Sequence, residues 1–262
     1  MKTSNKKLLI TGGNRGIGFA LAKEFAQKNC SLVIVSRSGL SPDKLEILME
    51  AGAEKVTSLN YDLSDEKSFD QFLEFLDSEK IEVDILINNA GLLSGGLFEE
   101  QKPEHIRKVL RVNTEASLLL TNFFLPKMLK QKSGYIVNNA SVSGKMFLPT
   151  TNTYAASKAA IVGFTESLEL ELKNSGVKSL LLITPGVQTD MFEEINQVYK
   201  NVDYEAKNGM APEKWAKLIL DAIEHDQSVL TPNINDEAWW GLQINRLIPS
   251  LFKKIASSKF NR

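Results

Sequence analysis

The sequence predicts one α/β domain, built on a doubly wound parallel sheet of about seven strands with helices on both faces. Short runs rich in leucine and β-branched residues alternate with longer amphipathic stretches from one end of the chain to the other, which is the pattern of strands joined by helices. Most of the short runs are too apolar to leave either face in water, as expected for a parallel sheet. No Pro/Gly/Ser-rich linker divides the 262 residues, so a single domain over residues 1–262 is expected.

The individual elements follow this alternation in chain order. The predicted strands are Lys7–Thr11, Leu32–Ser36, Val56–Asn60, Asp84–Ile87, Tyr135–Asn139, Ser179–Ile183 and Ser228–Leu230. The predicted helices are Ile17–Gln27, Asp43–Met49, Glu66–Leu76, Pro103–Lys130, Thr153–Lys173 and Pro212–His225. Residues 189–210 hold few long apolar runs and are predicted to form a substrate-side loop or lid. A loop of that length inside a compact domain indicates a functional role, with a mobile surface excursion as the alternative.

The composition excludes several classes of protein. Lys and Arg total 31 against 32 Asp and Glu, and this balance gives no indication of a nucleic-acid partner. No apolar run approaches the roughly 18 residues that a bilayer span needs, and the polar start, Met1–Lys7, lacks the apolar core of a signal peptide. Cys30 is the only cysteine, which excludes an intrachain disulfide and, with these absences, leads us to expect a cytoplasmic protein. Neither His105 nor His225 has a partner at metal-ligand spacing, so no metal site is predicted.

A glycine-rich turn links the first predicted strand to the first predicted helix, reading Thr11-Gly12-Gly13-Asn14-Arg15-Gly16-Ile17-Gly18. A dinucleotide pyrophosphate binds free backbone N–H groups at a helix N-terminus, where a Cβ would hold it away. Gly12 would form the turn, Gly16 would admit the phosphates and Gly18 would let the helix approach the sheet. The predicted cofactor contacts in this turn also include Asn14, Arg15 and Ile17. The spacing differs from G-x-G-x-x-G, so an ordinary glycine-rich turn remains an alternative.

The second predicted strand ends at Ser36-Arg37. Enzymes that select NAD usually place an acid there, against the adenosine ribose, and this chain has none. Guanidinium groups form strong charge-assisted hydrogen bonds to phosphate oxygens, so Arg37 and Arg15 could flank a 2′-phosphate. The sequence therefore favours NADP(H) over NAD(H), and a surface arginine without a ligand is the alternative.

Tyr154 and Lys158 lie four residues apart at the start of a predicted helix, in Tyr154-Ala155-Ala156-Ser157-Lys158. This spacing puts the phenol and the ammonium on one helix face. The pKa of a tyrosine is about 10 in model peptides, which is high for proton transfer at neutral pH, and a nearby cation lowers it. The pair therefore indicates proton-transfer chemistry, with Lys158 as the cation that adjusts Tyr154.

With this Y-x-x-x-K pair, the glycine turn and the segment Asn88-Asn89-Ala90-Gly91 after the fourth predicted strand, the chain resembles the short-chain dehydrogenase/reductase family from about residue 6 to residue 232. The resemblance implies a Rossmann-type fold and assigns roles residue by residue. Ser141, thirteen positions before Tyr154, matches the serine that polarises the substrate. Asn113 matches the asparagine that holds a water for a proton relay, although it could instead be a polar residue that kinks a helix.

The resemblance also implies the remaining cofactor contacts. Asp62 is similar to the aspartate beside the adenine, and the backbone of Asn89-Ala90-Gly91 would line the adenosine side. The segment Pro185-Gly186-Val187-Gln188-Thr189 resembles the Pro-Gly segment whose threonine meets the nicotinamide carboxamide. Here Thr189 falls one residue earlier than in the family pattern, so Val187 could supply a backbone N–H in its place.

The function implied is hydride transfer between the nicotinamide and a carbonyl carbon, with Tyr154 exchanging the proton and Lys158 also bonding the nicotinamide ribose. Apolar residues near the expected site indicate an apolar substrate: Met146, Phe147, Leu148, Met191 and Phe192. A 3-oxoacyl carrier-protein reductase is one narrower version. The rival from another class is a non-catalytic dinucleotide-binding sensor, because a fold does not settle a function.

Two regions indicate partners. The helices around Leu118–Leu125 and Ala159–Phe164 are apolar over more than one face, and in this family such helices often build dimers and tetramers. Residues 233–262 form an amphipathic, positively charged segment with no acid after Glu237. Three interpretations of this segment stay open: a lid over an apolar substrate, an oligomer contact, or peripheral contact with an anionic membrane. Pro249 interrupts any continuous helix there.

Overall fold

The computed structural model describes residues 1–198 and 209–260. Its centre is a sheet of seven parallel strands in the order β3-β2-β1-β4-β5-β6-β7. The strands are β1 (Lys7–Thr11), β2 (Ser31–Ser36), β3 (Lys55–Asn60), β4 (Ile85–Asn88), β5 (Gly134–Asn139), β6 (Val177–Leu182) and β7 (Val229–Leu230). The strand order reverses between β1 and β4, so the sheet is doubly wound and opens a crevice at the carboxyl ends of those strands. The predicted fold class is confirmed.

The described helices are α1 (Gly16–Ala26), α2 (Pro42–Glu50), α3 (Glu66–Ser78), α4 (Pro103–Leu110), α5 (Ala116–Gln131), α6 (Asn152–Glu171), α7 (Asp190–Val198), α8 (Pro212–Glu224), α9 (Glu237–Leu247) and α10 (Pro249–Ser258). Short 3₁₀ turns cover Phe98–Glu100 and Val142–Gly144. α3 begins at an Asp65 side chain that accepts the Ser68 N–H, which satisfies one of the free N–H groups of the first turn.

Two apolar layers cover the sheet because successive side chains of a strand point to opposite faces. Leu8 and Ile10 of β1 pack toward α1 and α8, where Trp215 is fully buried. Leu9, between them, packs toward α3, α5 and α6 in a second cluster that includes Phe72. Every central strand is therefore buried on both faces, which explains why the strands read as continuous apolar runs.

The structure corrects the prediction of one long helix over Pro103–Lys130. α4 ends at Leu110, a π-helical turn covers Arg111–Glu115, and α5 follows. The π-helical turn contains Asn113, whose side chain is held by two hydrogen bonds. Its Oδ1 accepts the Leu92 N–H at 2.7 Å, and its Nδ2 donates to the Leu92 carbonyl at 3.0 Å. This contact joins residues 21 positions apart, so helix periodicity alone could not reveal the break.

Two further segments differ in detail from expectation. The predicted loop 189–210 begins with helix α7, because Met191, Phe192 and Ile195 recur at helical spacing and face the cavity described below; residues 199–208 of that segment lie outside the described residues. The 233–262 segment forms two helices separated at Ile248, whose backbone is non-helical (φ −138°, ψ 70°), since a residue before proline is disfavoured in the helical region. Residues 261 and 262 lie outside the described part of the chain.

Candidate active site

A cavity of about 1350 Å³ opens at the carboxyl ends of β1, β4, β5 and β6. It extends from the glycine-rich turn after β1 to the C-terminal helices. Every residue assigned to catalysis or to the cofactor from the sequence lines this cavity except two, Gly18 and Asn113. Gly18 lies behind the turn, within α1, and Asn113 lies behind the Tyr154 helix.

The glycine turn has the backbone that a phosphate-binding loop requires. Gly12 and Gly16 have φ angles of +65° and +53°, a region that residues with a Cβ rarely adopt. A Cβ at Gly12 would lie 3.0 Å from the Ala90 Cα, and one at Gly18 would overlap the Gly12 carbonyl oxygen. The turn, the helix start and the strand β4 end are therefore in close backbone contact.

The N-terminus of α1 faces the cavity without a capping side chain in the described structure. The first N–H groups of a helix have no intrahelical acceptor, and together with the helix dipole they form an anion site. Because the adjacent glycines leave this end open, the turn fits a dinucleotide pyrophosphate. This open N-terminus of α1 is the structural feature that supports a bound dinucleotide.

A polar network that the sequence analysis missed supports the turn from below. Asn89 donates from Nδ2 to the carbonyls of Thr11 and Gly12, at 3.0 and 3.3 Å. Its Oδ1 accepts from Asn139 Nδ2 at 2.9 Å, and Asn139 Oδ1 accepts the Thr184 hydroxyl. Thr184 in turn accepts the Trp215 indole N–H at 3.3 Å. The chain of bonds links the ends of β1, β4, β5 and β6 to α8.

The end of the cavity next to β2 and β3, which is predicted to receive the adenosine, carries Arg37 and Asp62. Arg37 is exposed at the end of β2 and forms no ion pair with any described residue. Burial raises the pKa of Asp62, but hydrogen bonds from the Ser64 hydroxyl and N–H and the nearby charge of Arg37 outweigh it, so the pKa is lowered overall. Asp62 is therefore ionised at neutral pH, and a cation, Arg37, stands beside it.

Arg15, unlike Arg37, forms an ion pair. Its guanidinium donates to Asp190 Oδ2 at 2.6 Å, and both side chains are more than half exposed. Thr189, next to Asp190, packs its methyl group against Gly16. The start of α7 therefore lies directly on the glycine turn, and of the two arginines proposed for a 2′-phosphate, Arg37 is the one without a carboxylate partner.

Ser141, Tyr154 and Lys158 come together at the opposite end of the cavity. Ser141 follows β5, while α6 presents Tyr154 and Lys158 one turn apart. The Lys158 ammonium donates to the Asn139 carbonyl at 2.7 Å and lies 5.8 Å from the centre of the Tyr154 ring. A Cβ at Gly91 would lie 3.7 Å from Lys158 Nζ, so the Asn-Asn-Ala-Gly segment approaches the same point.

The electrostatics of this pair differ from the sequence expectation. Burial raises the pKa of the Tyr154 phenol, and a hydrogen bond with Ser141 offsets part of that rise. Burial lowers the pKa of Lys158 to about 8. The net pKa shift of Tyr154 is therefore upward, because burial dominates while the Lys158 ammonium is bonded to the Asn139 carbonyl and lies 5.8 Å from the centre of the phenol ring.

Asn113 supports α6 from behind. Besides bonding Leu92, its Nδ2 donates to Ser157 Oγ at 3.0 Å, and Ser157 donates to the Tyr154 carbonyl at 2.7 Å. Thr114 donates to the Ser157 carbonyl at 3.1 Å. With both its amide groups satisfied by protein and 1% of its surface exposed, the Asn113 side chain fixes the position of the Tyr154–Lys158 turn.

The segment Pro185–Thr189 forms the edge between the two ends. Val187 forms a parallel β-bridge with Met210. The Met210 N–H donates to the Gly186 carbonyl at 2.8 Å, and the Gln188 N–H donates to the Met210 carbonyl at 2.9 Å. The Thr189 hydroxyl donates to the Val187 carbonyl and accepts the Phe192 N–H, at 3.2 and 3.3 Å. Thr189 therefore lines the cavity, but its hydroxyl already serves to start α7.

The substrate end has an apolar wall that sequence reasoning only partly identified. The expected Met146, Leu148, Met191 and Phe192 line the cavity, whereas Phe147 is 57% exposed at the surface. The C-terminal helices add apolar lining residues that were not assigned: Ala238, Gly241, Phe252, Ile255 and Ala256. The near-helical spacing of apolar residues after Glu237 was the signal for them, but it does not say which face meets the cavity.

Two further observations concern what else the site could bind. Over residues 1–198 and 209–260, no group of three or more His, Cys, Asp or Glu side chains could hold a metal ion. Within the same described ranges, no helix has both the length and the apolar character needed to cross a membrane.

Comparison with known proteins matches this architecture. A family model of the short chain dehydrogenases matches residues 6–200. The chain is 33% identical over 241 residues to a 3-oxoacyl-[acyl-carrier-protein] reductase of Aquifex aeolicus, covering 89% of this chain and 96% of that protein. A short-chain dehydrogenase from Sphingobium yanoikuyae, solved in complex with NADPH, superposes with a TM-score of 0.76 at 26% identity over 95% of each chain. A 3-oxoacyl-[acyl-carrier protein] reductase from Brucella melitensis, solved with bound NAD, gives 0.73 at 26% identity, covering 88% of this chain and 90% of that one.

Proposed function

The chain belongs to the short-chain dehydrogenase/reductase family, and on this premise we propose that it is an NADP(H)-dependent oxidoreductase that interconverts a carbonyl and an alcohol on an apolar substrate. One observation carries the proposal. Ser141, Tyr154 and Lys158 line one end of a cavity whose other end is the open N-terminus of α1 beside Arg37. An apolar wall lies next to the catalytic end.

The residues present fit a nicotinamide dinucleotide. The free N–H groups of α1 would hold the pyrophosphate, and the backbone of Asn89-Ala90-Gly91 would line the adenosine side. Val187 would meet the nicotinamide, because the Thr189 hydroxyl is already bonded within the protein. When bound, the nicotinamide supplies or accepts the hydride at the substrate carbon.

The protein side of the reaction is positioning and proton transfer. In the reducing direction the hydroxyls of Ser141 and Tyr154 donate hydrogen bonds to the carbonyl oxygen, and the Tyr154 proton passes to it as the C–O double bond becomes a C–O single bond. Lys158, above the Asn139 carbonyl, stabilises the phenolate that this leaves behind. In the oxidising direction the Tyr154 phenolate takes the alcohol proton.

The preference for NADP(H) rests on Arg37. It lies where an NAD-selecting acid would stand, lines the cavity and has no carboxylate partner in the described structure. A guanidinium at this place would bond the 2′-phosphate and gains nothing from the plain ribose of NAD. Arg15 could join it only by leaving Asp190.

A narrower candidate is reduction of 3-oxoacyl thioesters. The similarity to 3-oxoacyl carrier-protein reductases favours it, and an apolar wall of α7, α9 and α10 would suit an acyl chain. NADPH oxidation in the presence of acetoacetyl-coenzyme A would be the expected result. If no acyl thioester is reduced while simple ketones are, this narrower candidate is excluded.

The exposed apolar side chains of α5 and α6 support a homo-oligomer. Leu119 and Leu129 on α5 and Leu170 on α6 are 40%, 41% and 78% exposed. Residues of this kind on neighbouring helices favour a two-fold contact between copies. Light scattering is expected to give a dimer or tetramer, and Leu170→Glu is expected to shift it toward the monomer.

The test of the proposed reaction is turnover by Tyr154→Phe. We expect purified protein to oxidise NADPH with aliphatic aldehydes or ketones, and the variant to lose roughly a thousandfold in kcat, which is within the usual range for a general acid. Its affinity for NADPH should not change. A variant with full turnover would remove Tyr154 from the role of proton donor.

The test of the cofactor assignment is fluorescence titration with NADPH and NADH. Arg37→Ala is expected to weaken NADPH binding by roughly tenfold or more, since a charge-assisted hydrogen bond contributes about 1.5–3 kcal/mol, and to leave NADH binding unchanged. Arg107→Ala is the matched control, because Arg107 is an exposed arginine of α4 that does not line the cavity, and it should leave the binding of both cofactors unchanged. Equal loss for both cofactors would contradict a 2′-phosphate contact at Arg37.

A further inference from the structure

The connection between α9 and α10 is an exposed apolar corner, residues Arg246–Leu251. Every residue of the corner is exposed, and its apolar members Leu247, Ile248 and Leu251 are 74%, 52% and 41% exposed. Ile255, one helical turn after Leu251, continues the apolar surface along α10 and is 41% exposed. Exposed aliphatic side chains grouped in this way mark an interaction site.

Beyond Glu237, the first residue of α9, the same helices carry positive charge only. From Ala238 to Phe260 the chain has four cations and no acid; the cations are Arg246, Lys253, Lys254 and Lys259. All four are exposed, and none forms an ion pair with a described residue. An apolar surface flanked by unpaired cations is the arrangement by which a helix binds an anionic lipid surface.

The opposite face of the helix pair belongs to the candidate active site. Phe252 and Ala256 are buried and line the cavity, as does Gly241 of α9. Ile255 contributes to both surfaces, since it lines the cavity and is partly exposed. Two short helices therefore separate the substrate end of the cavity from the exposed corner.

We propose that the α9–α10 corner docks on anionic membrane surfaces, and that the enzyme takes a lipid-soluble carbonyl or alcohol from the membrane into the cavity beneath. The docking part stands on the corner alone, whereas the substrate part rests on the proposed function. Aliphatic side chains at the corner and the adjacent cations supply the two signals that stable peripheral binding requires.

Charge selects the membrane over a second copy of the chain. A two-fold contact places the same surface of both copies face to face, which here would bring together six exposed cations, Arg246, Lys253 and Lys254 from each copy, without a carboxylate from either α9–α10 corner. Lys259 lines the cavity instead. An anionic bilayer offers both the negative charge and the apolar interior. The surface of α5 and α6 around their exposed leucines has no such excess of positive charge, and it is therefore the better surface for self-association.

The docking test is co-flotation with vesicles of phosphatidylcholine alone or mixed with phosphatidylglycerol. The protein is expected to float with the mixed vesicles only and to be released by high salt. Replacing Lys253 and Lys254 by Gln is expected to weaken binding by roughly thirtyfold. The double variant Leu247→Ser/Ile248→Ser is expected to abolish it.

Matched controls separate this effect from general loss of charge or apolar surface. Lys67→Gln with Lys130→Gln removes two exposed cations from α3 and α5, and Leu45→Ser removes an exposed leucine from α2; both are expected to float like the original protein. Failure to float with anionic vesicles would overturn the proposal. So would loss of self-association, in light scattering, by the Leu247→Ser/Ile248→Ser variant, since that would assign the corner to a second copy.

The substrate part is tested with decanal, which partitions into vesicles, and butanal, which stays in water. Mixed vesicles are expected to lower the KM for decanal severalfold in the original protein but not in Leu247→Ser/Ile248→Ser, with butanal turnover equal in both. Butanal turnover without any vesicle effect on decanal would overturn delivery from the membrane and leave the proposed reaction standing. Absence of turnover with either aldehyde would instead count against the proposed function, while flotation would still report on docking.

Discussion

The two walls of the cavity are built in different ways. The strand-end wall, formed by the turns after β1, β4, β5 and β6 and the start of α6, is held by hydrogen bonds between buried groups. Ser141 and Lys158 are 8% and 4% exposed, and the Asn89–Asn139–Thr184 network fixes the backbone around them. The helical wall, formed by α7, α9 and α10, has few such bonds, and α9 contains no buried residue.

Under the proposed function, this difference separates the chemistry from the selection of substrate. Proton and hydride transfer need reacting groups held within a fraction of an ångström, which packed strands and their hydrogen bonds provide. A wall of thioether and aliphatic side chains from short helices adapts to the shape of a substrate at small cost. Substitutions in the strand-end wall should therefore change stability and turnover together, while equivalent substitutions in the helical wall should be tolerated.

The largest effect is expected for Gly18→Ala, directly behind the strand-end wall. The added Cβ would overlap the Gly12 carbonyl and lie 2.6 Å from Asn89 Nδ2, and neither the turn nor the network can move without losing hydrogen bonds. We expect a loss of about 3 kcal/mol in the free energy of unfolding and loss of NADPH binding. Urea denaturation and fluorescence titration measure the two. A fully stable variant would show that the close contact of α1 with the turn is dispensable.

The next largest effect is expected for Lys158→Met, which should increase the free energy of unfolding but abolish activity. Burial lowers the pKa of Lys158 from 10.5 to about 8, so folding disfavours its charged form by about 3 kcal/mol. Loss of the bond to the Asn139 carbonyl offsets about 1 kcal/mol of that. At pH 7 the variant is expected to be about 2 kcal/mol more stable and inactive.

The pH dependence of this gain follows from the direction of the shift. Because the pKa of Lys158 is lower in the folded state, the cost is fully present below pH 8, declines between pH 8 and about 10.5, and disappears above that. The difference in melting temperature between the variant and the original protein should therefore shrink over that interval. Lys67→Met, at an exposed position of α3, is the control and should show no such trend. A gain that is independent of pH would contradict the argument.

A smaller effect is expected from Thr184→Val in the network below the turn. The substitution leaves Asn139 Oδ1 and the Trp215 indole N–H without their partner, which should cost roughly 1–2 kcal/mol. Since Asn139 also holds Lys158 through its carbonyl, turnover should fall severalfold. Thr121→Val is the matched control, because Thr121 accepts from the buried Asn88 away from the cavity. It should cost similar stability and leave kcat unchanged; equal loss of kcat in both would assign Thr184 a structural role only.

The sequence predicts the strand-end wall well for a physical reason. Buried strands and helices have their own periods, and parallel strands bring their carboxyl ends to one edge, so the order of elements places the turn at Gly12 and the end of β5 at the same edge of the sheet. The role of Ser141 came from the family resemblance. The π-helical turn at Asn113 and the Asn139–Thr184 contact could not be predicted, because each depends on partners 20 or more residues away. The lowered pKa of Lys158 likewise follows from burial that only the packed structure defines.

The helical wall was harder to predict. The sequence of α7 begins with a short amphipathic pattern that is compatible with either a helix or a loop. The position of α7 on the glycine turn depends on the Arg15–Asp190 ion pair, which joins residues 175 positions apart. Periodicity identified α9 and α10 as amphipathic, yet it could not assign Phe252 and Ala256 to the cavity and Leu247 and Ile248 to the surface. A helix with two apolar sides needs the tertiary structure to say which side faces inward.

The smallest effect is expected for Gly241→Ala, the counterpart in the helical wall of Gly18→Ala. Here the added Cβ would lie 2.8 Å from Met146 Sδ, the flexible end of a side chain that can change rotamer. Alanine is favoured over glycine inside a helix by about 1 kcal/mol, which offsets the cost of moving Met146. We expect the free energy of unfolding to stay within about 0.5 kcal/mol and NADPH affinity to be unchanged, while the KM for aldehydes of different chain length shifts. If Gly241→Ala destabilises the protein as much as Gly18→Ala does, the helical wall is as rigid as the strand-end wall and cannot be the part that adapts to substrate.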